Sequence, residues 1–593
     1  MKTVSPCRRS AELSRWFLSG ALVSAALLCS SSSAQAQSRD DAPSPGPTMP
    51  GSLRGAAAIE ALGDRLDEVA LEHHLDGETL REQLTSDPTL WLTTDDQLVF
   101  VDIPADDRFQ HDDGPSYSGS IPTSQAFLLH TSPGNDQTIY LDFDGHKSVN
   151  NGWGHNIDFP PFNTSGSSAT FTTGELQSII AHWEYIKEDF APYDVDVTTE
   201  EPDATHLQFN GFNDDVYGVR CVFTQATDGF GNGIGGIADL GSFRSLFDKP
   251  VFAFNKGDNT GSMTGSHELG HSLNMIHDGL FGQEYHPGTG SGSTSWGPIM
   301  GAPFGKTVVH WSVGDYSGST TTQNDTGFMS SPFAFDMGPT PDTAPDVVGA
   351  GKPLSIACPG GSFAAVSGMI QTQADVDVYE FSTSGGPATI SANPWNPGPN
   401  LDIRLELYDG AGALIAFHDP SNQTNAVISQ TLAAGNYSVL IDGVGKPGVY
   451  SDYGSQGQYD LAVGAAPGDV FADLGSGLSG TGGIPVATGS GLPCDGNAVA
   501  IDLAGARPSS SAWLAMGIGQ LNAPFKGGLL VPNITVGGAF LPTPTNGSGA
   551  VSISTTWPAG VTPGVPLDFQ FWIQDPVGVF GFAASNALEL ITP

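Results

Sequence analysis

Ser266-His267-Glu268-Leu269-Gly270-His271-Ser272-Leu273-Asn274-Met275-Ile276-His277-Asp278 is the stretch on which the reading of this chain turns. His267 and His271 are four residues apart, so on a helix both imidazoles face the same way and can reach one ion. Glu268 follows the first histidine and can face the ion's open position, where a base is needed. His277, ten residues after His267, supplies a third nitrogen. Three histidines leave zinc one vacant position for water, the arrangement of a catalytic site rather than a closed structural one. For His277 to swing back to the metal the helix must end before it. Asn274 stands where that turn needs a residue tolerant of the left-handed conformation. A lone H-E-x-x-H arises by chance on ordinary helices. With 14 His in 593 residues, a third at fixed spacing argues strongly against coincidence.

These residues resemble the metzincin zinc peptidases, whose pattern is H-E-x-x-H-x-x-G-x-x-H followed by a Met-turn. Asn274 replaces the usual glycine, and Met300 in Trp296-Gly297-Pro298-Ile299-Met300-Gly301 is the Met-turn candidate. Asp278 directly after the third histidine is similar to the reprolysin (adamalysin) branch. Ala302 stands two residues after Met300, so the tyrosine that astacins and serralysins offer the metal there is missing. The resemblance implies one Zn2+ on His267, His271 and His277, with Met300 as a non-ligating floor and Asp278 (with Asn274) supporting the turn. Glu268 would be general base and then acid in peptide-bond hydrolysis. It also implies an α+β catalytic domain, with a twisted mixed sheet, long helices, the zinc helix and the Met-turn. The strand before the zinc helix would form the cleft rim, expected at Ile237, Ala238, Asp239, Leu240 and Gly241, and would pair with an extended substrate. The zinc helix is expected to start near Gly261 to Thr264, with Ser262 or Thr264 as cap. The Gly-rich run from Gly279 to Gly297 and the stretch from Val308 to Tyr316 are expected as walls of the cleft and its pocket. His286 is a rival ligand whose spacing fits no zinc pattern.

Length and composition frame this core. A chain of 593 residues should hold three or four domains. The 77 Gly and 43 Pro, with only 14% charged residues, predict short strands and many turns outside the zinc domain. A net charge of −42 makes nucleic acid and anionic membranes poor partners. Protein or peptide substrates are what the metzincin resemblance implies, and a monomer is expected. Arg8, Arg9 and Arg15 before the apolar run from Trp16 to Leu28, with Ala34-Gln35-Ala36, read as an export signal over residues 1–36. A secreted protein is expected, with attachment to the cell surface as a variant, and no later segment is apolar enough to span a membrane. Outside the signal only Cys221, Cys358 and Cys494 remain, so at most one bridge can form within the chain.

Residues 37–124 read as a propeptide-like region and linker: a polar lead, a helical pattern from Ala56 to Leu84 ended by Asp87-Pro88, a short strand at Leu98 to Val101, then a polar stretch from Arg108 to Ser124. A small structural N-terminal domain is the equal alternative. No Cys lies between Gln37 and Arg220, which excludes a thiolate latch; an Asp or a steric plug stays open. The catalytic domain is expected at 125–336, with a strand at Thr138 to Asp144 and an amphipathic helix from Thr173 to Ala191. His182 on that helix reads as a surface or core residue. Residues 337–351 read as a linker.

From 352 to 465 the phrases Asp375-Val376-Asp377-Val378-Tyr379-Glu380-Phe381 and Ala434-Gly435-Asn436-Tyr437-Ser438-Val439 resemble the bacterial pre-peptidase C-terminal (PPC) domain, a β-sandwich. Residues 468–593 carry further strand patterns, expected as an immunoglobulin-like sandwich. The whole is thus multidomain, α+β followed by two all-β sandwich domains. Ca2+ is a secondary expectation at Asp142 and Asp144, or at Asp375, Asp377 or Asp409. Two other readings stand beside the peptidase: a zinc-stabilised, non-catalytic surface adhesin or scaffold, and a thermolysin-like zincin using a downstream Glu.

Overall fold

The computed structural model describes residues 49, 51–106, 117, 119–149, 151, 153, 155–166, 170–211, 213–226, 230, 233–331, 334–358, 362–468, 470–562 and 564–592. The export signal falls outside the described residues, and so does most of the polar stretch from 108 to 118. No helix among the described residues is long and apolar enough to cross a membrane.

The helical pattern of the N-terminal region forms α1 (Gly55–Leu62), α2 (Leu66–Glu72) and α3 (Gly77–Ser86) rather than one continuous rod. Gly63 at φ 51° and His74 at φ 56° supply the breaks. Strands β1 (Leu90–Leu92) and β2 (Leu98–Asp102) follow as an antiparallel pair. The next elements are β3 (Gln137–Asp142), β4 (His146–Val149), β5 (His155–Phe159) and α4 (Thr173–Phe190). Then come β6 (Asp196–Thr198), β7 (Tyr217–Phe223), β8 (Gly236–Asp239), β9 (Val251–Ala253) and α5 (Asp258–Ser272). β10 (Trp296–Pro298), β11 (Val308–His310) and α6 (Asp325–Ser330) end this part of the chain.

One seven-stranded sheet runs β1-β2-β8-β9-β7-β3-β6. β9, β7, β3 and β6 are parallel; β8 is antiparallel to β9, and β2 antiparallel to β8. The N-terminal region is therefore not set apart from the α/β fold that follows it. It adds two strands to the sheet and shares a core with it, where Leu62, Leu80 and Phe100 pack with Leu240 and Ile276.

α4 is set by a full capping box, Thr172 with Glu175, and its apolar stripe lies in the main core. α5 packs on it. α5 is buried on every side, and its glycines allow this: a Cβ on Gly265 would meet Phe223 at 2.7 Å, and one on Gly270 would meet Met300 Sδ at 2.2 Å. α5 begins at Asp258, earlier than expected. The hydroxyls of Ser262 and Thr264 bond back to the carbonyls of Asp258 and Thr260, so they serve inside the helix and not as caps.

Beyond residue 336 the described residues are β structure apart from a 3-10 turn at Val579–Gly581. A five-stranded sheet (Lys352–Pro353, Val376–Thr383, Gly435–Gly443, Ile403–Asp409, Leu414–His418) and a four-stranded sheet (Val366–Ile370, Gly457–Gly464, Gly386–Pro394, Ala426–Leu432) enclose a common core. A second all-β region follows. Its five-stranded sheet contains Ala512–Ile518, Pro566–Gln574 and the ten-residue Phe582–Ile591. Cys358 and Cys494 form a disulfide between the two regions, and Cys221 is free and buried. The 337–351 stretch is no loose tether. Met337 is fully buried and donates its N–H to Met329 O, Asp194 N–H donates to Gly338 O, and Thr340 N–H donates to Pro192 O.

Candidate metal centre

α5 places His267 and His271 one turn apart, and both point at the same spot. The Nδ1–H of His267 donates to Ile299 O (2.8 Å) and that of His271 to Met275 O (2.7 Å). Both rings thereby present Nε2 as the lone-pair nitrogen. The helix ends at Ser272, and Asn274 at φ 62° reverses the chain. This brings His277 back, with its Nε2 3.1 Å from that of His271. Nitrogens held at ~2.0–2.1 Å from a tetrahedral zinc ion lie about 3.3 Å apart, close to this spacing. The Asp278 N–H donates to Met300 O (2.8 Å), and its carboxylate accepts from Tyr316 OH (3.3 Å), tying the turn to the segment below. Met300 is fully buried beneath the helix against Gly270.

The fourth corner is a carboxylate the sequence did not single out. Asp102, the last residue of β2, has Oδ1 3.1 Å from His277 Nε2 and Oδ2 3.6 and 3.5 Å from the Nε2 atoms of His267 and His271. Asp102, His267, His271 and His277 form a buried group whose ligand atoms lie within 4.8 Å of one another. His267 Nε2 and Asp102 Oδ2 are buried without a hydrogen-bond partner, as atoms shaped to hold a cation would be. Two further residues from outside the zinc motif complete the surroundings. Asp87 accepts from His277 Nδ1 at 2.7 Å, and Tyr285 OH donates to Asp102 Oδ1 at 2.6 Å, its ring 4.5 Å from that of His277.

The metal-free charges follow from this packing. Burial and the neighbouring histidines push His271 down to about 4, against the pull of Asp102. Burial also opposes charge on His277, but Asp87 and Asp102 overcome it and raise His277 to about 10. Glu268 is pushed well above the carboxylate range, first by burial and then by the charge of Asp102. Neither of its oxygens meets a donor.

Glu268 and His267 line a cavity of about 420 Å³, together with Gly236, Met263, Thr264 and Pro303. Three expectations change here. The pocket wall after the Met-turn is Gly301 to Phe304 with Lys306, whereas Val308 and Trp311 are buried in cores. The rim strand spans Gly236–Asp239; Leu240 lies in the N-terminal core and Gly241, at φ 81°, is in a turn. Within that strand the Asp239 carboxylate is paired with Lys249. The backbone edge of β8 that would meet a substrate is already paired with β2, with Val101 opposite Ile237 and Asp102 opposite Gly236.

His286 takes no part in the cluster, since its Nδ1 accepts from Gly288 N–H, and His182 lies in the core with its Nδ1 donating to Ser178 O. Of the calcium expectations, Asp142 is engaged by Arg220 at 2.6 Å, and Asp409 Oδ1 accepts from the N–H groups of Ala411 and Ala413 in a turn. Asp375 does gather with Asp342 and Asp346, whereas Asp377 accepts from Thr343 and Tyr459.

No family model matches the chain, and no curated protein matches it significantly. Solved structures overlap parts of it. The PPC domain of a collagenase from Bacillus anthracis shares 15% identity over 19% of this chain and 92% of its own, with a TM-score of 0.14. A periplasmic inhibitor of g-type lysozyme from Aeromonas hydrophila shares 18% over 19% and 93%, at 0.15. A secreted protein from Eubacterium rectale shares 12% over 39% and 74%, at 0.13. Scores this low decide neither fold nor activity.

Proposed function

We propose that the chain is a secreted zinc-dependent endopeptidase of the metzincin class, and that the conformation described is its latent form. One observation carries this reading: three imidazole Nε2 atoms converge at the edge of a cavity, with an unpartnered, buried Glu268 beside them. His267, His271 and His277 would hold the ion, which supplies Lewis-acid polarisation of the scissile carbonyl and acidifies a bound water. Glu268 takes that water's proton and passes it to the leaving amine. Its place suits the task, because it lines the cavity beside His267 with both oxygens free to take and return a proton. An extended peptide would lie antiparallel on β8, the place β2 now fills, with the side chain following the scissile bond directed to the cavity.

Asp102 then acts as the plug. Its carboxylate stands where the water belongs, and its strand covers the rim. The Cys358–Cys494 disulfide fits an oxidising destination outside the cytoplasm. The β module at 352–465 is proposed as PPC-like.

The scaffold reading also has one observation behind it. Three histidines plus Asp102 make four ligands, the count of a closed structural site. Casein hydrolysis separates the two. Processed protein should cleave casein, and Glu268→Ala should abolish cleavage while keeping one zinc per chain. Equal inertness of both proteins would leave the scaffold.

A further inference from the structure

The N-terminal region touches the candidate centre in two places that act in opposite senses. Asp102 blocks. Asp87, fifteen residues earlier, supports. His267 and His271 each donate Nδ1–H to a carbonyl of the catalytic domain itself, Ile299 and Met275. His277 has no such carbonyl; its Nδ1 is held by Asp87, and both side chains are almost fully buried. Asp87 is itself fixed, its Oδ1 accepting from the N–H of Thr89 (2.9 Å) and from its hydroxyl (2.5 Å).

The same helices grip the rest of the turn that carries the third histidine. His73, buried in the same helical region, lies beside the side chain of Asn274, the residue that reverses the chain. Ile276, next to His277, lies in the core built by α1, α2 and α3. Three successive features of the turn (its left-handed residue, its apolar anchor and its ligand) thus lean on residues 58–87. A buried carboxylate on the far nitrogen of a ligating histidine fixes the ring and raises its basicity, and loss of such partners costs metal affinity.

We infer that Asp87 is a positioning residue of the working centre, and that the helical part of the N-terminal region is kept in the active enzyme while only the Asp102 segment is withdrawn. This rests on the peptidase reading for its activity arm but not for its metal arm. It makes the region a subunit-like piece of the catalytic domain, not a disposable propeptide.

Two measurements test it. In the full-length protein, zinc affinity is read by chelator competition, without any hydrolysis assay. Asp87→Ala should weaken binding about 10- to 100-fold. Asp87→Asn, whose amide oxygen can still accept from Nδ1, should recover most of that loss, whereas Asp87→Leu, which fills the space without an acceptor, should not. Asp87→Ala with wild-type affinity overturns the inference. In the second, casein-cleaving material is purified natively from a secreting host, and its polypeptides are weighed after denaturation. A species containing Asp87 should be present in a one-to-one ratio with the species containing His267. Active, zinc-loaded enzyme in which no polypeptide includes Asp87 overturns it. If the protein binds zinc with the expected Asp87 dependence yet no preparation cleaves casein, the peptidase reading has failed, and the retained-enzyme half of the inference with it.

Discussion

Replacing Gly236 by alanine should disable Glu268 without removing the metal. Gly236 is the first residue of β8, and a Cβ there would lie 1.9 Å from Glu268 Oε1, 2.4 Å from Cδ and 2.8 Å from Cγ. Real Cβ atoms do not approach closer than 3.0 Å, so the carboxylate must retreat by 3.0 − 1.9 = 1.1 Å or the strand must move. Moving the strand is the harder route, because Gly236 stays paired with Ala253 inside the sheet. A displacement of ~1 Å at a reacting group costs about 100-fold in rate, or about 2.7 kcal/mol of barrier. None of the three histidines is touched, so zinc content should stay at one per chain. The assay is kcat/KM on a quenched fluorogenic peptide with processed protein, alongside metal analysis. A Gly236→Ala enzyme with one zinc and a kcat/KM within threefold of wild type would refute both the position and the role given to Glu268.

Asp102→Ala in the unprocessed chain should raise peptide hydrolysis at least tenfold over the unprocessed wild type, because the fourth position opens to water; a variant as silent as the parent would mean that the strand alone closes the cleft. Removing metal with 1,10-phenanthroline should abolish hydrolysis, and added zinc should restore it; activity that survives a verified metal-free state would end the proposal. Gly270→Ala drives a methyl to 2.2 Å from Met300 Sδ, and overpacking of this kind costs about 1–3 kcal/mol, to be read as a lowered midpoint in thermal melts. Asp189, buried under Ser266 and Asn400, is raised to about 6, chiefly by burial. Its folded pKa lies above the unfolded value of 3.8, so the ionised form opposes folding, and stability falls as pH rises from about 4 to 6. Asp189→Asn lacks this penalty and should gain stability over wild type as pH rises through that window, by about 3 kcal/mol at most; an equal difference at pH 4.5 and pH 7.5 in denaturant melts would contradict it.

The zinc motif was legible because its logic is local: helix periodicity aims two histidines one way, and a left-handed Asn brings the third back. α4 was equally plain from its apolar stripe, and the structure adds the capping box that starts it. Strands in the all-β half showed by alternation, and the two PPC-like phrases fall in Val376–Thr383 and Gly435–Gly443. The longest strand of the last region, Phe582–Ile591, went unseen, since Ala-Ala-Ser-Asn-Ala offers little contrast between faces. Asp87, Asp102 and Tyr285 were illegible for a different reason. Each reaches the site through a contact spanning many residues, 190 for Asp87 to His277 and 183 for Tyr285 to Asp102. Nothing in an Asp-Pro helix stop or a polar strand end distinguishes such a residue from an ordinary boundary. The pocket wall was misplaced because Val308 and Trp311 look like a lining but are drawn into the cores on either side.

Helix α4 has a second face that bears on how this protein can be handled. Trp395 Nε1–H donates to Glu184 O, Gln458 N–H to Glu188 Oε1 and Asn400 Nδ2–H to Asp189 Oδ1, while Lys187 lies 3.4 Å over the Trp395 ring. The appended β module therefore packs on α4, the helix against which α5 and its two histidines are braced. Clipping the chain near residue 340 would bare the carboxyls of Glu188 and Asp189 and slacken the helix against which α5 is braced. The shortest fragment that keeps this brace thus ends after Gly464, not at residue 336.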